Sequence, residues 1–178
     1  MKPIAQMTVG ELGAFVATHL RKRGIDVVLS GGACVSIYSR GKYVSGDLDF
    51  IDTRFSTRKE IRDAMTEIGF GERDRYFEHP GCEFLIEFPK GPLAIGKEPV
   101  GQIDEIDFET GILRIISPTD CVKDRLAAFF HWRDLQSLEQ AILVAHSQRI
   151  DLDEIRRWSA SEGMLDKYSD IANRLAAR

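Results

Sequence analysis

The chain has 178 residues, 43% of them hydrophobic and 29% charged, with a formal net charge of −4. That length suits one domain, or a core domain with an extension, and the composition is that of an ordinary globular protein. The acidic balance argues against a broad electropositive nucleic-acid surface, leaving room for a local basic patch, and no apolar run approaches the ~20 residues of a membrane span.

The N-terminus, MKPIAQMTVGELG, lacks the apolar region of a signal peptide. Thr8, with Glu11 three residues on, makes a capping box for a first helix. Leu12, Phe15, Val16 and Leu20 give that helix its apolar stripe, and Gly24 stops it. Val27, Val28 and Leu29 then read as a buried strand, followed at once by Gly31 and Gly32. Two glycines let the backbone turn sharply and leave no side chain between it and a ligand. If ACVSIYS continues as a helical turn, its unpaired N–H groups make an anion site. The loop SRGKYVSG carries Arg40 and Lys42, which are either ordinary loop charges or contacts to phosphate oxygens.

The next strand, DLDFID, carries Asp47 and Asp49 on one face. Two adjacent carboxylates repel, and a divalent cation relieves that repulsion. Ser56 or Thr57 caps a helix running to about Ile68 and closed by Gly69. GERDRYFEHPG reads as a charged turn. CEFLIEFP is a strand with two glutamates, of which Glu87 is the better candidate than Glu83 for a third carboxylate. The segment from Pro89 to Gly101 is loop-like, with one short strand at Leu93–Ile95. QIDEIDF and ILRII form a hairpin about ETG, with Asp104, Glu105 and Asp107 on a solvated face. From Ser117 and Pro118 onward the pattern is helical, in four segments, with Asp151 capping the third. The change divides the chain into a mixed core, 1–116, and a helical extension, 117–178, with no linker tract between them. Cys34, Cys82 and Cys121 are odd in number, widely spaced and form no CxxC or zinc pattern. They read as reduced thiols, and the chain as cytoplasmic.

The order of an apolar strand, LSGG, fourteen residues and DLDF resembles the nucleotidyltransferase superfamily of the DNA polymerase beta type. ISPTDCVKDRLAAFFHWRDLQSLEQAILVA resembles the helical segment of prokaryotic abortive-infection and toxin-type members, where a lysine and a charged pair recur. Lys123 and the pair Arg133–Asp134 stand in those places. The resemblance covers about Val27 to Ala145. It implies an α+β fold, a small mixed β-sheet flanked by helices and followed by a helical extension. It implies Mg²⁺ at Asp47, Asp49 and Glu87, and β- and γ-phosphates held by Ser30, Gly31 and Gly32 with Lys123 neutralising charge. The implied reaction moves a nucleoside monophosphate from an NTP to a hydroxyl of a tRNA, a protein or a small molecule. The other expectation is an inactive, nucleotide-sensing or partner-binding module paired with a cognate antitoxin.

Overall fold

The computed structural model describes residues 2–177. The first long helix, α1 (Val9–Lys22), opens on the expected box: the Thr8 hydroxyl accepts from the Glu11 amide and the Glu11 carboxylate accepts from the Thr8 amide. The chain leaves α1 through Gly24, whose φ of +79° suits a residue without a Cβ. It then enters β1 (Val27–Ser30), buried along its apolar length, and turns into α2 (Gly31–Tyr38).

Strand β2 (Asp47–Asp52) runs antiparallel to β1, and α3 (Arg58–Glu67) follows behind a second capping box at Thr57 and Glu60. The segment read as a charged turn is instead a hairpin, β3 (Gly71–Arg73) and β4 (Tyr76–Glu78). Its strands are short and largely polar because they form the sheet edge, where only Phe77 is buried. Edge strands lose the apolar alternation that marks a strand in sequence.

Strand β5 (Leu85–Glu87) lies parallel to β2, with Asp47 opposite Leu85 and Asp49 opposite Glu87. A small separate hairpin, β6 (Ala94–Ile95) and β7 (Glu98–Pro99), precedes β8 (Ile103–Phe108) and β9 (Gly111–Ile116). The main sheet has the order β3-β4-β5-β2-β1-β9-β8 and is mixed: β1 pairs parallel with β9, β2 with β5, and the other pairs are antiparallel.

Four helices complete the chain: α4 (Pro118–Trp132), α5 (Leu135–Ser147), α6 (Leu152–Ser161) and α7 (Leu165–Ala176). One continuous apolar core runs from Leu12 and Leu29 through Leu126, Trp158 and Leu175, so it crosses residue 117 without a break. On β2, Leu48 and Phe50 are fully buried; Leu48 reaches α1 at Gly13, and Phe50 stacks with Phe88. Alternation sends Asp47 and Asp49 to the opposite face. No described helix is long and apolar enough to cross a membrane.

Candidate active site

The site grows from the junction of β1 and α2. Ser30 is the N-cap of α2 but its side chain does not cap the helix; its hydroxyl instead donates to the Asp49 carbonyl at 3.4 Å. The first amides of α2 therefore keep their capacity for an outside acceptor, as helix starts do. Gly31 has a φ of +71°, and a Cβ there would lie 2.3 Å from Asp49 Oδ2. Glycine is thus required twice over, by the left-handed backbone and by the carboxylate lying against it. At Gly32 a Cβ would stand 2.8 Å from Ser45 Oγ and 3.6 Å from Tyr43 Oη, so the second glycine admits the loop that leads to β2.

That loop orients the first acid. The Ser45 hydroxyl donates to Asp47 Oδ1 at 3.0 Å, and the Ser45 amide donates to Ser36 Oγ at 2.7 Å. Ser36 in turn donates to the Gly32 carbonyl at 3.4 Å. Asp47 is thereby tied to the helix whose start faces Asp49. On the sheet, Glu87 stands directly across from Asp49, whereas Glu83 is exposed and precedes the strand. Asp49 feels this crowding. Burial first, then Asp47 and Glu87, raise its carboxyl from 3.8 to about 6. Glu87 is turned toward Arg75, whose Nε lies 3.5 Å away.

Two adjoining cavities reach Asp49 and Glu87. The smaller, about 310 Å³, is lined by Ser30, Gly31, Asp49, Lys90, Asp124 and Arg125, among others. The larger, about 600 Å³, is lined by Glu87, Arg75, Phe55, Phe88 and the start of α3. Pro89 and Lys90 form part of both walls.

No three His, Cys, Asp or Glu side chains among the described residues are grouped so as to hold an ion by themselves. The donor set still fits a small, hard divalent cation. Such an ion is bound by one or two carboxylates and completes its shell with substrate phosphates and water. Asp47 and Asp49 are such a pair, and the Asp49 carboxyl is raised by burial and then by its acidic neighbours, both of which a bound cation would offset.

The other residues singled out in the sequence fall elsewhere. Lys123 does not line either cavity. Its side chain is 5% exposed and its ammonium lies 2.7 Å from Asp120 and 3.0 Å from Glu154. Burial pulls its pKa down, but those two carboxylates outweigh burial and hold it above the ordinary value. The cation of α4 that faces the smaller cavity is Arg125, bonded to Asp124 and, at 3.3 Å, to Gln140. Arg133 and Asp134 shape the corner between α4 and α5: Arg133 takes a φ of +56°, and Asp134 caps α5 by accepting from the Gln136 and Ser137 amides. Arg40 and Lys42 are exposed beyond the C-terminal end of α2 and line neither cavity. Tyr43, Ser45, Arg75, Lys90 and Arg125 went unread in sequence. Of these only Ser45, two residues before Asp47, stood where alternation along an extended chain offered a hint.

No family model matches the chain, and no curated protein matches it in sequence. Solved structures do. An antigenic nucleotidyltransferase-like protein from Paracoccidioides brasiliensis superposes with a TM-score of 0.65 over 99% of this chain and 96% of its own, at 13% identity. The antibiotic-resistance factor ANT(2'')-Ia, in solution, gives a TM-score of 0.55 over 92% of this chain and 95% of its own, at 12% identity. Its crystal structure with adenylyl-2"-tobramycin gives 0.55 over 86% and 94%, at 13% identity. The architecture expected from the strand, the glycine pair and the paired aspartates is the one observed: the chain has a nucleotidyltransferase-like fold.

Proposed function

We propose that the protein is a nucleotidyltransferase that moves a nucleoside monophosphate from an NTP to an acceptor hydroxyl. One observation carries the reading. Asp49 is set against the glycine-opened start of α2 and lines the smaller cavity, Asp47 is on the same strand face, and Glu87 stands across from Asp49 and lines the larger cavity. In this reading Ser30, Gly31 and Gly32 receive the β- and γ-phosphates through the amides at the start of α2. Arg125, which lines the smaller cavity, takes the charge-neutralising part expected of Lys123, which lies in a buried ion-pair cluster outside it.

Asp47 and Asp49 would hold Mg²⁺, with Glu87 across from Asp49 on the neighbouring strand. When bound, the ion supplies positive charge to the phosphate oxygens. The chain's residues do the rest. Ser45 occupies one oxygen of Asp47 and fixes its orientation. Glu87 accepts the proton of the acceptor hydroxyl. The hydroxyl oxygen forms a bond to the α-phosphorus, the bond to the bridging oxygen breaks, and pyrophosphate leaves with the electron pair. One fold neighbour was crystallised with adenylyl-2"-tobramycin, which supports a small molecule as one class of acceptor beside a tRNA or a protein.

Incubation with labelled NTPs, Mg²⁺ and candidate acceptors tests the proposal. Wild type should transfer label, and the double variant Asp47→Ala, Asp49→Ala should not. Equal labelling by the two proteins would refute the assignment.

A further inference from the structure

The geometry points to the larger cavity as the acceptor's seat, and to an acceptor that presents a flat ring and an anionic group: a nucleotide. The inference rests on the nucleotidyl-transfer reading above and deepens it.

Attacking and leaving oxygens lie on opposite sides of the transferred phosphorus. If pyrophosphate departs along Ser30, Gly31 and Arg125 in the smaller cavity, the hydroxyl must arrive from the other side. That side is the 600 Å³ cavity, the one lined by Glu87. Its volume falls in the range of small-molecule sites.

Its walls offer a stacking surface. Phe55 is 76% exposed, has a φ of +57°, a conformation an aromatic residue seldom adopts, and its ring edge would lie 3.7 Å from a Cβ at Gly91. Phe88, Pro89 and Ile61 continue the apolar lining. An exposed phenyl ring beside a pocket receives any flat base, whatever its sequence.

The charges around the cavity sort themselves by what already occupies them. Asp52 accepts from the Arg54 and Ser56 amides. Arg58 is bonded to Glu72, to the Arg75 carbonyl and over the Phe77 ring. Among the described residues Lys90 and Asp74 have no ion pair, and Arg75 pairs with Glu87 at 3.5 Å, donates to the Tyr76 hydroxyl and rests over the Tyr76 ring. Once Glu87 turns to the acceptor hydroxyl, Arg75 is released. Two cations then face a single free carboxylate. That arrangement suits a phosphate, for which a guanidinium is the better partner, and is unsuited to a polyamine.

The test uses the full chain loaded with Mg²⁺ and a non-hydrolysable ATP analogue, titrated by calorimetry with 5′-AMP, adenosine, tobramycin and a short single-stranded oligoribonucleotide. AMP should bind in addition to the analogue. Phe55→Ala should weaken AMP at least about five-fold, with Phe55→Tyr restoring it and neither change altering the affinity for the analogue. Arg75→Gln should weaken AMP more than adenosine. The oligoribonucleotide binding tighter than AMP assigns the nucleotide to a strand end; equal affinity assigns it to a free nucleotide. Four results overturn the inference: AMP that competes with the analogue, AMP affinity indifferent to Phe55, tobramycin bound in preference to AMP, or an analogue-loaded protein that binds no nucleotide. Failure of the wild type to bind the analogue at all strikes instead at the nucleotidyl-transfer reading.

Discussion

Asp49 lies half-buried beside Asp47 and opposite Glu87, and its carboxyl is pushed up from 3.8 to about 6. Between those values the folded protein keeps a proton that the unfolded chain has released. In metal-free buffer, stability therefore falls as pH rises from about 4 through 6 and stays lowered above. Asp49→Asn removes the charge that is poorly accommodated. Its thermal midpoint should exceed that of wild type at pH 8 by about 4–8 °C, on the order of 2 kcal/mol for a chain of this size. The gap should close by pH 4, and transfer activity should be lost. Melting curves at the two pH values check this, and a wild type as stable as the variant at pH 8 would contradict it. The pairing of Asp47 with Asp49 was legible because strand alternation is a local rule. The alternating run already favours Glu87 over Glu83, but its place opposite Asp49 depends on the register of β5 against β2, which no local pattern encodes.

At the scale of one element, α4 shows how two cations two residues apart take opposite duties. Successive residues of a helix are turned about 100° from each other, so Lys123 and Arg125 point in nearly opposite directions. Lys123 is buried with Asp120 and Glu154, joining α4 to α6, while Arg125 faces the smaller cavity. In sequence both lie in one amphipathic run, and only the partners packed on each side distinguish them. Lys123→Met leaves the Asp120 carboxylate buried without its cation and should cost about 3–5 kcal/mol of stability. Its effect on the affinity for an NTP analogue should be small. Arg125→Gln should do the reverse, weakening the analogue about ten-fold through loss of a charge-assisted contact and leaving the melting temperature less affected. Calorimetric binding beside thermal melts separates the two. Analogue affinity that fell with Lys123 and not with Arg125 would return the phosphate contact to Lys123. The β3–β4 hairpin was missed for a related reason: its polar composition follows from its place at the sheet edge, which only the strand order reveals.

Across the whole molecule, the C-terminal helices shape the site at a second place besides Arg125. Leu93, Ala94, Ile95 and Val100 wall the smaller cavity, and the small β6–β7 hairpin that carries much of this wall makes no strand pairing with the main sheet. It is fastened to α6 and the turn that follows. The Trp158 indole donates to the Ile95 carbonyl at 3.2 Å, Arg157 pairs with Glu98 at 2.6 Å, and Glu162 accepts from the Lys97 amide at 2.8 Å. Gly96, at a φ of +61°, leaves room for Glu162, whose carboxylate would lie 2.5 Å from a Cβ there. The change of composition at residue 117 is visible in the sequence, but this clamp is not, because its two halves lie about sixty residues apart. Trp158→Phe isolates the clamp from the core. Phenylalanine keeps an aromatic ring beside Phe130, where Trp158 stacks at 5.9 Å, but cannot donate to Ile95. The buried carbonyl then lacks its partner, at a cost of about 1–3 kcal/mol. Because Ile95 belongs to the cavity wall, the loss should also appear as weaker NTP-analogue binding, with the affinity for 5′-AMP in the larger cavity unchanged. If the variant melts lower yet binds the analogue as tightly as wild type, the helices support the fold alone and do not set the shape of the nucleotide cavity.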